Sequence, residues 1–371
     1  MCRNLFVITG AAVLISLVFI SCSTNSLYQK MYPALLDGKY DSEFPYRNCS
    51  DQLEEISNSI KLINSIAFYT SYVFDENAKI TLRDVNLINY EKTAIKEILF
   101  TRTASCSATV VQENNGLIGL LSVAHVVSFP DTILSYFSNP DGTLSKYIQS
   151  ISIKNRQSNY VPDLPDNGAL DIILIDKNRD IALLGKRYLP DQTKLITTFK
   201  YKWGNASELE WGTFVYAFGY PMNYKMISKA IVSVSEKNKN TFIIDAAFNK
   251  GFSGGIVLAI RDGVPNFELV GLVKSVPAEF EDIIKPLSID QSTEFNPMLP
   301  YKGDVYIERR QVISPGITKV IAIESVKELF LEHKDELIKK GFYFNNLFNP
   351  DSLSSPNNKI IKMLNDIQIK H

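Results

Sequence analysis

The stretch Asp245-Ala-Ala-Phe-Asn-Lys-Gly251-Phe-Ser253-Gly254-Gly255 constrains this chain more than any other. It joins two apolar runs, 241–246 and 256–261, each of strand length and rich in branched residues, so the segment reads as strand, glycine-rich loop, strand. Glycines on both sides of Ser253 let backbone N–H groups face the same point as its hydroxyl, which is the geometry that holds an oxyanion. Taken alone, the turn reads equally as an ordinary hairpin.

Partners for the serine lie upstream. The chain has only three histidines, and His125 closes the apolar run Leu120-Leu-Ser-Val-Ala-His125. Between it and Ser253, Asn178-Arg-Asp180-Ile-Ala-Leu puts a carboxylate at the mouth of another apolar run. Asp171 and Asp176 lie near enough that a shift in register would exchange them with Asp180. A serine hydroxyl needs a neutral imidazole to take its proton, and that imidazole needs a carboxylate to fix its tautomer. Singly, each residue reads as core or turn; together, in the order His, Asp, Ser, they read as a catalytic unit.

These motifs resemble those of trypsin-like serine proteases of the chymotrypsin fold, in particular the HtrA/Deg branch, which carries T-N-x-H-V, D-[LI]-A-[LV] and D-A-A-I-N-P-G-N-S-G-G. Here they stand as Ser122-Val-Ala-His125-Val, Asp180-Ile-Ala-Leu and Asp245 through Gly255. The resemblance implies a mostly β chain of two six-stranded antiparallel β-barrels with a C-terminal helix. It implies a serine endopeptidase with Ser253 as nucleophile, His125 as base, Asp180 orienting the imidazole, and the N–H groups of Gly251 and Ser253 forming the oxyanion hole. The base of the primary substrate pocket would fall near Ala247, and Gly271, Leu272 and Val273 would form the strand on which substrate pairs. With no acidic residue there, an apolar side chain of small to medium size is expected before the scissile bond.

The chain departs from the branch in three places. Lys250 stands where the branch has proline, Phe252 precedes the serine, and 104–108 (Ala-Ser-Cys-Ser-Ala) replaces a glycine-rich strand. Because zymogens activated by N-terminal insertion carry aspartate at the position of Phe252, that activation route is not expected. No PDZ module, which full-length members of the branch carry, is expected after Gly341. Three other readings compete: a protease-shaped lipoprotein that binds a partner without cleaving it, an enzyme switched on by oligomerisation, and an α/β-hydrolase elbow using Ser253, Asp282 and His333.

The N-terminus reads as a targeting segment. Leu5 to Ile20 is apolar, follows a single basic residue, and is shorter than the roughly 20 residues of a spanning helix. Phe19-Ile20-Ser21-Cys22 resembles a bacterial lipobox, so 1–21 is expected to be removed and Cys22 lipidated. That would anchor the enzyme to a membrane of the bacterial cell envelope, facing the periplasm or the exterior. Cys49 and Cys106 then remain, either joined by a disulfide or as two unpaired thiols. No Cys/His spacing suggests a metal, and no cofactor is expected. A net charge of −1 gives no footprint for nucleic acid. The expected partners are a protein or peptide substrate and the membrane.

Residues 22–60 read as a tether with a short helix, its apolar positions Leu53, Ile56, Ile60 and Ile63 at helical spacing. The protease domain is expected over 61–345 and a tail over 346–371. Strand runs at 66–74, 98–101, 106–112, 117–123, 147–154, 170–176 and 181–186 would build a first barrel within 61–200. Runs at 213–218, 227–235, 241–246, 256–261, 269–274 and 305–313 would build a second within 205–323. Ser325-Val-Lys-Glu328 is a capping box for a closing helix over 325–340. The stretch between Val276 and Gly316 is longer than most loops, and reads as a lid, an exosite rim or a surface excursion.

Overall fold

The computed structural model describes residues 37–45, 47–139, 143–234, 240–246, 251–275, 278–286, 298, 305–313, 316–344 and 347. Cys22, Ala247 and Lys250 lie outside them, as does nearly all of 346–371. A helix, α1 (Ser50–Ser59), leads into β1 (Ile60–Val73). Then come β2 (Lys96–Asn114), β3 (Leu117–Ser122), the single-turn α2 (Ala124–Val127), β4 (Thr132–Ser138), β5 (Leu144–Tyr160), β6 (Ala169–Asp176) and β7 (Ile181–Arg187). The second half contains β8 (Lys202–Trp203), β9 (Phe214–Gly219), β10 (Met226–Val234), β11 (Thr241–Ile244), β12 (Ile256–Ile260) and β13 (Phe267–Ser275). It ends with β14 (Ala278–Pro286), β15 (Val305–Ile313), β16 (Thr318–Ala322), α3 (Ile323–Glu332) and α4 (Lys334–Lys339).

The strands close into two barrels. In the first, β1-β2-β3-β7-β6-β5 run in order and β5 returns to β1, while β4 adds outside β5. In the second, β12-β9-β10-β11-β16-β13 run in order and β13 returns to β12, with the short β8 parallel to β13. Each barrel is therefore six-stranded and antiparallel, and a helical segment follows the second. This is the two-barrel architecture of the chymotrypsin fold. Closure pairs each of these strands on both sides over at least part of its length, so the polar constellation between them rests on two stiff supports. One apolar cluster joins them, with Leu120, Leu183 and Ile60 packed in the same body as Phe218, Ile256 and Ile321.

Several local expectations are corrected. The helix stops at Ser59, and Ile60 and Ile63 belong to β1 instead, both fully buried. The runs 98–101 and 106–112 are one strand of 19 residues. The run 305–313 does not enter the barrel: β15 pairs with β14 as a separate two-stranded ribbon, and β16 supplies the sixth strand. α3 starts at Ile323 with Ala322 before it, so the expected capping box is not formed, and the Ser325 hydroxyl is buried without a partner among the described residues. Cys49 and Cys106 are separate buried thiols, Cys49 against the Tyr216 hydroxyl at 3.7 Å and Cys106 against that of Ser122 at 3.4 Å. Burial pushes the Cys106 thiol up to about 12, as expected of a thiol that serves as packing.

The segment before α1 straps the second barrel. Asp41 donates its N–H to Ile260 at 2.9 Å and accepts that of Phe214 at 2.9 Å, while its carboxylate receives the Gly263 N–H at 3.0 Å. Burial raises this carboxyl from 3.8 to about 6, against the partly offsetting Gly263 bond. A raised folded-state value means that the native state binds the proton more tightly. The resulting stability is fully present below pH 3.8 and is lost as pH rises toward 6. Asp41→Asn keeps an acceptor for Gly263 and removes the buried charge. It is expected to raise stability by roughly 2 kcal/mol at pH 7 and by almost nothing near pH 4, read from urea unfolding at both pH values.

Candidate active site

His125 follows β3 directly. Val123 and Ala124 are buried, and together with the single turn of α2 they fix the backbone from which the imidazole projects, 45% exposed, out of the first barrel. Asp180 ends the turn between β6 and β7. Asp176 Oδ1 builds that turn by accepting the N–H groups of Asn178 at 2.8 Å and Arg179 at 2.9 Å. Asp180 itself sits at φ +63, a left-handed conformation that aspartate tolerates better than most residues.

The result is a tight pair. Asp180 Oδ1 accepts the His125 backbone N–H at 2.8 Å, and its two oxygens lie 3.0 and 2.9 Å from Nδ1. With both Nδ1 contacts on a carboxylate, the Nδ1 proton is held there and Nε2 is left free to accept. Of the three nearby acids, only Asp180 reaches the imidazole: Asp176 caps the turn and Asp171 is exposed.

The Ser253 loop belongs to the second barrel but is moored to the first by Ser107. The Ser107 N–H donates to Ser253 O at 2.8 Å, its hydroxyl donates to Gly251 O at 2.9 Å, and the same hydroxyl accepts the Tyr220 N–H at 2.8 Å. Gly254 passes so close that a Cβ there would stand 2.2 Å from Ser107 O and 2.5 Å from the Ser122 hydroxyl. Ser122 lies three residues before His125 in the chain. Phe252, one of the sequence departures, is 2% exposed in the core of the second barrel and anchors the loop from below. Gly251 takes φ +100, and among the described residues no acceptor receives the N–H of Gly251 or of Ser253. The Ser253 hydroxyl likewise makes no hydrogen bond among the described residues.

The expected substrate strand needs revising. Gly271 and Leu272 are paired on both sides, with β12 and with β16, and both backbone groups of Val273 are engaged, its N–H with Gly255 O and its O with Gly254 N–H, each at 2.8 Å. None offers a free edge. Beyond Val273 the register of β13 against β16 shifts before Ser275. The hydrolase-elbow trio is not brought together: a strand rather than a helix follows Ser253, Asp282 pairs with Arg309 at 2.8 Å, and His333 Nδ1 lies 3.0 Å from Leu329 O. Ser107 went unnoticed in the sequence except as one of the small residues of 104–108.

No family model matches the sequence, and no curated protein does. Among solved structures, the chain is similar to a thermostable serine protease, AL20, from an extremophilic microorganism. The two are 9% identical over 74% of this chain and 96% of that one, with a TM-score of 0.34.

Proposed function

We propose that this chain is a serine endopeptidase in which Ser253 attacks the scissile carbonyl, His125 takes the proton and delivers it to the leaving amine, and Asp180 holds His125. The N–H groups of Gly251 and Ser253 bind the oxyanion. The observation that carries this reading is the two-point grip of Asp180 on His125, which leaves Nε2 as the free base on the barrel to which the Ser253 loop is moored. An apolar residue before the cut is part of the proposal, and equal cleavage after Arg and Val would count against it. So is a lipid on Cys22 that tethers the enzyme to an envelope membrane, which labelling with a palmitate analogue would detect in the wild type but not in Cys22→Ala. No helix among the described residues is long and apolar enough to cross a membrane.

Residues 23–371 are expected to react covalently with a fluorophosphonate, and Ser253→Ala and His125→Ala to remain unlabelled. The uncommitted Ser253 hydroxyl favours one second reading, a resting form whose serine meets the imidazole only when substrate or a partner is bound. Labelling that appears only on addition of a peptide substrate would select it, and a folded protein that never labels would favour a non-cleaving binder.

A further inference from the structure

β1 pairs with β2 along the whole of its own length, from Val73 opposite Lys96 to Ile60 opposite Thr109. With β3, β2 pairs only from Thr109 to Asn114. Upstream of Thr109, therefore, one edge of β2 has no strand beside it. Ser107 shows which way that edge faces: its N–H goes to Ser253 O at 2.8 Å and its O accepts the Ser122 hydroxyl at 2.7 Å, both away from β1. The β1–β2 register is unbroken, so every second residue before Ser107 turns its backbone the same way: Ser105, Thr103, Thr101, Leu99 and Glu97. Among the described residues nothing hydrogen-bonds to these groups. Most of this stretch is exposed, and Leu99 is 75% exposed.

Long open edges are usually blunted, because an unpaired row of N–H and C=O groups recruits other chains. This one is not shortened by proline or broken by a bulge against β1, and it carries Ile98, Leu99, Phe100, Thr101 and Thr103, residues suited to strand pairing. On the other side of β2 the sheet continues through β1 to β5, and a groove of about 450 Å³ crosses it between Leu99, Phe68 and Arg156, so the open edge is the only side of this stretch of β2 left for an added strand among the described residues. The edge starts at the residue that bonds Ser253 and runs outward for about 33 Å at roughly 3.3 Å per residue.

From this we infer that the open edge of β2 binds the part of a polypeptide substrate that follows the scissile bond, as an added antiparallel strand reaching about ten residues beyond the cut. The inference rests on the proteolytic reading and deepens it. The departing amine must receive its proton from His125, which stands on the first barrel, so the departing segment lies over that barrel, and its open edge there is β2. A chain leaving Ser253 toward Lys96 runs against the direction of β2, as antiparallel addition requires. Main-chain bonds would supply the affinity, and the exposed Leu99 a contact for apolar side chains on the same face of the added strand. The substrate class is then a polypeptide with a long extended, unfolded segment after the cut, and compact folded proteins are excluded.

Internally quenched peptides that share the residues before the cut and carry two or ten after it test this. The expected kcat/KM is at least about ten-fold higher for the long peptide, the gain of one or two net strand bonds. N-methylation of those downstream amides that face β2 should remove the gain, and N-methylation of the intervening ones should retain it. Thr101→Pro deletes an N–H on the open edge only, where proline is tolerated. It should bring the long-to-short ratio near one, while Thr101→Val keeps it. Equal rates for both lengths, or equal effects of the two N-methyl series, would overturn the proposal. The short peptide reports on catalysis separately. If it is not cut, binding of the fluorescent long peptide to the same protein, by anisotropy, still decides: loss in Thr101→Pro supports the edge, and no binding overturns it. Dimers that dissociate in Thr101→Pro would assign the edge to a second copy of the chain instead.

Discussion

Asp180→Asn is expected to slow fluorophosphonate labelling and peptide hydrolysis by about four powers of ten without unfolding the protein. The reason is in the bonding around one carboxylate. Asp180 receives two donors from the same residue, the His125 backbone N–H at 2.8 Å and Nδ1 at 2.9 to 3.0 Å. A carboxylate can accept both. A carboxamide has one acceptor oxygen, which the backbone N–H, able only to donate, holds at the position of Oδ1, so its NH₂ takes the place of Oδ2, 2.9 Å from Nδ1. The amide NH₂ then faces Nδ1, which must become an acceptor, so the ring proton moves to Nε2, the nitrogen that should accept the proton of Ser253. The variant should keep its circular dichroism, and labelling rates followed against pH would separate loss of the base from loss of structure. A fall of less than ten-fold would remove Asp180 from the relay.

Gly254→Ala is the second large effect. The added methyl would stand 2.2 Å from the main-chain oxygen of Ser107, which cannot rotate away, and 2.5 Å from the Ser122 hydroxyl that this oxygen accepts. Either the Ser253 loop or β2 must give by about an ångström, and a displacement of that size costs around a hundred-fold in rate. Together with the left-handed φ of +78, destabilisation of about 2–4 kcal/mol is expected. Gly212→Ala provides the control, since it has φ +82 but nothing within 4 Å of the added Cβ. It should cost only about 1–2 kcal/mol and leave labelling as it was. Urea midpoints and labelling rates for the two variants, compared side by side, would show whether close approach or backbone strain sets the effect.

How much of this could be read from the chain differs between residues. His125, Asp180 and Ser253 stand out in the sequence because each ends or follows an apolar run and each motif is sparse; the structure joins the first two directly. Barrel closure was legible as class but not in detail. The run 305–313 has the branched composition of a strand, but composition does not say which neighbour a strand takes, and its partner is β14 rather than the barrel. Thr132–Ser138 was missed because its residues are only half-buried or exposed, so hydrophobic alternation is weak. Ser107 was invisible for another reason: its contacts to Gly251 and Ser253 span well over a hundred positions, and a small polar residue in a strand carries no periodic signal. Ala247 lies outside the described residues, and Gly271 to Val273 were misjudged because sequence does not show which edge of a strand is already taken.

The helices after the second barrel pack on it through Phe330 and Trp203 and also reach back to the first. Arg179, next to Asp180, grips Glu332 at the end of α3 with two bonds of 2.7 and 2.6 Å. Gln112 of β2 donates to Gly341 O at 3.0 Å and accepts the Tyr343 N–H at 2.7 Å. The Phe342 ring lies where a side chain on Gly119 or Gly185 of the first barrel would otherwise be. The chain thus starts with one barrel, builds the other, and returns to fasten itself to the first. Such a latch works against a hinge at the cleft, because rocking the two barrels apart would break these bonds. Any adjustment at Ser253 falls to loops, and on the proposed reading a substrate would be threaded in rather than enclosed.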